Sequence, residues 1–269
     1  MTKTAIPPIL LVGFGKMGGA MLAGWRERGL APSVAVDPQL PLPPGPEVTV
    51  VADAAAIPAD FAPAAVVLAV KPQNAAAVLP HYARYAGKAV MISIMAGRTI
   101  AGLRAVLGEQ AAVVRAMPNT PAAVRQGITV GCAGPGVTAA QRALADTLLS
   151  AIGKVAWIDD EALIDAVTAI SGGGPAYVFL LAELLEQAAI AQGIPADLAR
   201  LMARQTVSGS GALLAASPED AAALRRAVTS PKGTTERALA VLMAEDAWPA
   251  LVPRAIAAAT ERSRELSGG

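Results

Sequence analysis

The chain has 269 residues, enough for one large domain or two modest ones. Its 22 basic and 21 acidic side chains leave a net charge of +1, with no basic surplus to hold nucleic acid. One cysteine, Cys132, excludes an internal disulfide and a cysteine-built zinc site, and one histidine, His81, excludes a histidine-rich centre, so no metal is expected. In chain order, Ile9–Val12 is a compact β-type run, followed by a glycine turn over Gly13–Gly18 and an amphipathic stretch over Ala20–Arg28. Ser33–Val36, Val48–Val51, Ala65–Val70, Ala89–Ile94, Val113–Ala116 and Ile128–Cys132 are further strand candidates, most of them bounded by Pro, Gly or Asp. The proline-rich stretch Pro38–Pro46 reads as a loop, because proline removes a ladder donor and biases its neighbours away from helix. Continuous apolar runs alternating with helices predict a doubly wound, largely parallel α/β sheet.

From about Thr138 the pattern turns helical, over Ala139–Ile152, Glu161–Ile170, Pro175–Gln192, Ala196–Ala216, Pro218–Val228 and Pro231–Ala244. Thr138, Ser217 before Pro218 and Ser230 before Pro231 are start signals. The expected organisation is an α/β unit over 1–158 and an all-α unit over 159–269. Hydrophobic residues make up 54% of the chain, yet the longest apolar runs are cut short by Lys16, Glu183 and Glu186, below the roughly 20 residues that a membrane span needs. Ile6–Phe14 opens on Pro7 and Pro8, which does not suit a secretion signal. A cytoplasmic protein without a membrane partner is the expectation. Helices apolar on more than one face after Pro175 call for a cover, and a second copy of the chain supplies one.

Gly13-Phe14-Gly15-Lys16-Met17-Gly18 fits G-x-G-x-x-G, between a strand and a helix, with Asp37 ending the next strand. The first glycine makes the turn, the second admits a pyrophosphate, and the third lets helix pack on strand, while the helix start offers free N–H groups to the phosphates. Asp37 would accept a ribose 2′-hydroxyl and repel a 2′-phosphate, which leans the reading towards NADH over NADPH. Capping the turn into Pro38 is its other reading. No Lys or Arg lies between Asp37 and Lys71 to clamp a phosphate. Lys71, before Pro72, reads as a cofactor neighbour or as structural. His81 reads as a surface residue, and Trp25, Trp157 and Trp248 as packing anchors.

Five segments taken together resemble the pyrroline-5-carboxylate reductase family. They are Ala69-Val70-Lys71-Pro72, the Ser93–Gly97 stretch, Met117-Pro118-Asn119-Thr120-Pro121, Ser171-Gly172-Gly173-Gly174-Pro175-Ala176-Tyr177 and Val228-Thr229-Ser230-Pro231-Lys232-Gly233-Thr234-Thr235. The resemblance runs from Ile9 to Leu266. It implies a Rossmann-type α/β domain followed by an all-α dimerisation domain, a homodimer that assembles in some relatives into a decamer of five dimers, and reduction of L-1-pyrroline-5-carboxylate to L-proline by NADPH or NADH. The substrate would be a small imine carboxylate. The resemblance places Val12, Gly13, Phe14, Gly15, Lys16 and Met17 at the dinucleotide turn. Ala69, Val70, Lys71 and Pro72 fall in the loop after the fourth strand, and Ile94, Met95 and Ala96 in the next. Asp53 falls near the adenosine ribose and Glu161 near the cofactor. Ser230, Gly233, Thr234 and Thr235 fall in the substrate turn, with Thr235 and Ser230 in the catalytic roles.

Read alone, the Ser230–Thr235 turn suits an anion through free N–H groups and hydroxyls, and it also suits plain helix capping. Four positions depart from the family pattern. Gly173 replaces a serine and Ala227 an asparagine or glutamine. Lys232 replaces a glycine and either faces the substrate carboxylate or points to solvent, and Met95 replaces a smaller residue. Two rival readings fit less well. A 3-hydroxyacid or 6-phosphogluconate type dehydrogenase needs a lysine on the first long helix of the second domain, and none lies between Gly172 and Gly211. A non-catalytic NAD(P)H sensor need not keep the Ser-Pro-Lys-Gly-Thr-Thr turn.

Overall fold

The computed structural model describes residues 6–39 and 45–267. The middle of the expected Pro38–Pro46 loop and the last two residues lie outside them. In chain order the first unit runs β1 (Ile9–Val12), α1 (Lys16–Glu27), β2 (Ser33–Val36), β3 (Val48–Val51), β4 (Ala65–Leu68), α2 (Ala75–Val78), β5 (Val90–Ser93) and α3 (Ile100–Leu107). It continues through β6 (Val113–Met117), β7 (Gly127–Ala133), α4 (Ala139–Leu149), β8 (Gly153–Ile158) and α5 (Ile164–Val167). The strands form one sheet in the order β3-β2-β1-β4-β5-β6-β7-β8. All neighbours are parallel except β6 and β7. The first six strands have the 3-2-1-4-5-6 order of a Rossmann sheet, whose switch point lies between β1 and β4.

Strands β1, β2, β4, β5 and β6 are buried along their whole length, which is why they read as unbroken apolar runs. Alternate residues feed two cores. Leu10, Val12, Val66, Leu68 and Met91 face one side, and Ile9, Leu11, Val67, Val90 and Ile92 the other. Trp25 is fully buried in the second core, where its indole N–H donates to Leu148 O at 2.8 Å and ties α1 to α4. Thr138 and Gln141 close a capping box at the start of α4. Arg125, in the left-handed region at φ 61°, pairs with Glu27 and fixes the end of α1 to the turn before β7.

The second unit holds α6 (Gly174–Ala191), α7 (Ala196–Ala216), α8 (Ala221–Ala227), α9 (Thr234–Leu242) and the first part of α10 (Trp248–Ser267). The compact units divide at Gly172/Gly173 and again at Ala258/Ala259, not at 158/159. The reason is packing on both sides of the division. Buried Ile164 and Ala169 hold the segment up to Gly172 in the cores of the first unit. The last turns of α10 also belong to that unit: Ser263 Oγ and Ser267 Oγ donate to Asp165 Oδ1 at 2.6 and 3.3 Å.

Two helix starts differ from expectation. Helix α9 begins at Thr234 rather than after Ser230, because Lys232 takes φ 60° and breaks the helical path. Helix α8 begins after Asp220, whose carboxylate accepts Ala223 N–H, rather than after Ser217. Trp248, expected as a packing anchor, is 46% exposed within the chain.

Candidate active site

The α/β unit gathers most of the expected cofactor residues at the carboxyl ends of β1, β2, β4 and β5. Gly13 follows β1 with φ +95°, and its N–H donates to Val36 O at 2.9 Å. Ala69 N–H donates to Val12 O at 2.7 Å, so the turn after β4 lies beside the turn after β1. A Cβ on Gly13 would stand 2.7 Å from Ala69 O, and one on Gly18 would overlap Gly13 O. Those two glycines therefore serve internal packing. Gly15 differs: a Cβ there would have nothing within 4 Å, and Gly15 occupies the N-cap of α1 without any side-chain cap. Open space in front of an uncapped helix start is the cradle that a pyrophosphate fits. Among the described residues no group of His, Cys, Asp and Glu side chains is placed to hold a metal.

Asp37 lies directly after β2 and is already engaged. Its Oδ2 accepts Phe14 N–H at 2.8 Å, which fixes the glycine turn, and its Oδ1 accepts Gln39 N–H at 2.9 Å. The capping reading of Asp37 thus describes real bonds, and each carboxylate oxygen keeps a further lone pair for a ribose hydroxyl. Asp53 caps the turn Ala54–Ala56 with Oδ1, just beyond β3. Lys71 precedes the turn Pro72–Asn74 at the end of the β4 loop. Ile94 and Ala96 are half-buried, whereas Met95 is fully buried, with its N–H on Ser93 Oγ at 3.3 Å. Glu161 lies on another partner set: its Oε1 accepts Arg115 Nη1 at 2.9 Å and Ile100 N–H at 2.8 Å. His81 is exposed. Cys132 is buried and free, and burial pushes its thiol above the usual range, which suppresses the reactive thiolate.

Two residues that the sequence reading passed over stand in this region. Arg98 Nη2 donates to Pro72 O at 2.9 Å and joins the loops after β4 and β5. Arg115, 2% exposed, interrupts an otherwise apolar strand, and a lone charge in such a run was the signal available.

In the helical unit, Ser230, Lys232, Gly233, Thr234 and Thr235 form the expected turn. Gly233 N–H donates to Ser230 O at 3.0 Å, and Gly233 is the N-cap of α9, again without a side-chain cap. Lys232 N–H donates to Glu236 Oε2 at 2.7 Å, a bond that supports the left-handed lysine. Thr235 is half-buried, while Ser230 and Thr234 are exposed. An uncapped helix start beside two threonine hydroxyls is able to receive a carboxylate. Because a left-handed lysine is strained, Lys232→Gly is expected to stabilise the fold by about 0.5–1 kcal/mol, read as a higher melting temperature. An unchanged or lower melting temperature contradicts this.

Before the Ser230 turn, at the end of the first unit, Thr168–Gly172 forms a π-helical turn, a distortion frequent at functional sites. Exposed apolar side chains stud α6 and α7, with Phe179 65%, Leu180 52% and Leu201 63% exposed. The stretch Glu161–Ala191 is long and apolar enough to cross a membrane by length and composition alone. Patches of this kind mark an interaction surface.

A dinucleotide turn at the switch point of a Rossmann sheet, joined in one chain to a helical unit with its own anion-receptive helix start, defines an NAD(P)H-dependent oxidoreductase. A family model described as pyrroline-5-carboxylate reductase dimerisation matches residues 161–266. A pyrroline-5-carboxylate reductase of Pseudomonas aeruginosa is 40% identical over 272 residues, covering 97% of either chain. The chain belongs to the pyrroline-5-carboxylate reductase family. A relative of that name from Synechocystis is 40% identical over 199 residues, 74% of this chain and 73% of the relative. The solved structure of a pyrroline-5-carboxylate reductase from Coxiella burnetii aligns with a TM-score of 0.86 at 32% identity, covering 96% of this chain and 98% of that one. Plasmodium falciparum pyrroline carboxylate reductase, solved with NADP bound, aligns with a TM-score of 0.81 at 27% identity over 97% and 98% of the two chains. The dimerisation match assigns the exposed apolar faces of α6 and α7 to homo-oligomerisation rather than to a bilayer.

Proposed function

We propose that this chain reduces L-1-pyrroline-5-carboxylate to L-proline with NAD(P)H, the last step of proline biosynthesis. The observation that carries the reading is family membership along nearly the whole chain, with the dinucleotide turn and the Ser230–Thr235 turn both present. Bound NAD(P)H supplies the hydride. The imine nitrogen takes its proton from water before reduction, so no strong general acid is needed, in keeping with a chain whose single histidine, His81, is exposed. The work of the protein is to bind and orient two reactants. Backbone N–H groups from Gly15 to Met17, at the uncapped start of α1, hold the pyrophosphate, Asp37 meets the ribose, and the loops Ala69–Pro72 and Ile94–Ala96 flank the nicotinamide side. Ser230 and the Gly233 and Thr234 backbone receive the substrate carboxylate, and the Thr235 hydroxyl bonds the ring nitrogen or the carboxylate. Lys232, with its backbone N–H on Glu236, has an ammonium able to add positive charge beside that carboxylate.

The test is cofactor oxidation with pyrroline-5-carboxylate, run with NADH and with NADPH. Failure of either cofactor to be oxidised while both still bind would favour the sensor reading. NADH is the proposed better donor, on the Asp37 charge. Asp37→Asn keeps an oxygen for Phe14 N–H and removes the charge, so it is expected to shift the kcat/KM ratio towards NADPH by about five- to several-hundredfold. An unchanged ratio with intact folding would restrict Asp37 to holding the turn. A cytoplasmic setting, where thiols stay reduced, suits the buried free Cys132. Assembly of dimers into a decamer of five is the larger architecture proposed.

A further inference from the structure

We propose that Arg115 and Glu161 are a pair of positioning residues that set the cofactor loop after β5, with Glu161 acting through that loop rather than on the cofactor. The proposal rests on the reading of the chain as an NAD(P)H-dependent reductase. Arg115 lies within β6, opposite Ser93 at the end of β5 and opposite Cys132 on β7. Of its three guanidinium nitrogens only Nη1 has a partner among the described residues, Glu161 Oε1; Nε and Nη2 have none. A charged group buried on such terms works against stability, and a Leu or Val would suit the surrounding strand better. What the arginine does here is hold one carboxylate oxygen in place, and that oxygen carries a second bond, from Ile100 N–H at the first position of α3.

The loop from Ile94 to Thr99 is thereby fastened at three points. At its start Met95 N–H bonds Ser93 Oγ. In its middle Arg98 bonds Pro72 O, in the other cofactor loop. At its end Ile100 bonds Glu161, which Arg115 holds against the sheet. Gly97, at φ +67°, leaves no room for a Cβ beside Leu266 O, 2.9 Å away, so the loop has little freedom to find another path. Losing the third fastening lets Ile94–Ala96 drift relative to the turn after β1. Displacements on the order of 1 Å in a positioning segment can cost about a hundredfold.

The experiment measures NADH and NADPH dissociation constants directly, by fluorescence titration of the full-length protein, and then kcat and both KM values. Arg115→Met and Glu161→Ala are each expected to raise the cofactor dissociation constant and cofactor KM about tenfold, with a smaller loss of kcat at saturation. Glu161→Gln, which keeps an accepting oxygen for Ile100 N–H, recovers most of that binding. Glu161→Ala weakening binding while Arg115→Met leaves it unchanged would mean that Glu161 touches the cofactor itself, and the proposal falls. It also falls when Gln is as damaging as Ala, or when only the melting temperature moves. Should Arg115→Met fail to fold, Arg115→Lys carries the test: its dissociation constant rises above wild type if the proposal holds and stays at wild type if it does not. Because the binding titration needs no imine substrate, a wild-type chain that binds NADPH without reducing pyrroline-5-carboxylate would sink the activity and leave this proposal to the titration.

Discussion

Gly18→Ala is expected to remove saturable NADH and NADPH binding and to destabilise the fold by about 2–3 kcal/mol, within the range for overpacking a close contact. The added Cβ would overlap the carbonyl oxygen of Gly13 and meet Ala69 Cβ at 3.6 Å, so α1 must move away from the turn that it completes. Gly15→Ala is the informative companion. Nothing in the protein lies within 4 Å of the new methyl, and its backbone, at φ −73°, suits any residue. Its melting temperature should stay within about a degree of wild type, since surface changes of this kind stay within about 0.5 kcal/mol. Its cofactor dissociation constant should still rise more than about tenfold, because the methyl fills the space proposed for the pyrophosphate. Equal binding by the Gly15 variant and wild type would remove the phosphate from this turn.

Thr235→Ala is the second large effect. Deleting one hydrogen bond to a charged substrate costs about 1.5–3 kcal/mol, which lowers kcat/KM for the imine about ten- to 150-fold. The cofactor dissociation constant should barely change, since Thr235 and the glycine turn belong to different units. Thr235→Ser keeps the hydroxyl and should recover most of the rate. Unchanged kinetics in the alanine variant would refute the assignment, and an equal loss in the serine variant would point to the methyl group's packing instead.

What could be read from the sequence follows from how each element earns its burial. Strands β1 and β2 coincide with their apolar runs, because both faces of a central parallel sheet demand them, and β3, at one edge, is legible from its β-branched residues Val48, Thr49, Val50 and Val51. Strand β8 escaped notice although Val155–Ile158 is apolar: the run is short, opens on Lys154 and lies between two helical stretches, and as an edge strand it is nowhere fully buried. Helix α10 escaped for a related reason. It carries Pro253 inside, where proline reads as a break, and its last eight residues, Thr260–Ser267, hold a single apolar side chain, Leu266. The glycine turn was legible because its spacing answers a backbone need. Its internal division of labour is only partly local: Gly18 faces the carbonyl oxygen of Gly13 within the turn, whereas Gly13 faces that of Ala69, more than 50 residues away, and Gly15 faces open space. Glu161 shows the same limit. The resemblance located it near the cofactor, and only the fold reveals that its oxygen is spoken for by Arg115 and Ile100.

The serine hydroxyls that reach Asp165 come from 98 and 102 positions further along the chain. The α/β unit is therefore discontinuous: the helical unit is an insertion in it, left at Gly172 and re-entered at Ala259. During synthesis the sheet can form as its strands emerge, but the buried Asp165 carboxylate waits for Ser263, and the close approach at Gly97 waits for Leu266. A nascent chain thus completes its first unit only after the whole helical unit has been made. A fragment ending at Gly172 would keep every strand of the sheet and lack the turn of helix that closes it.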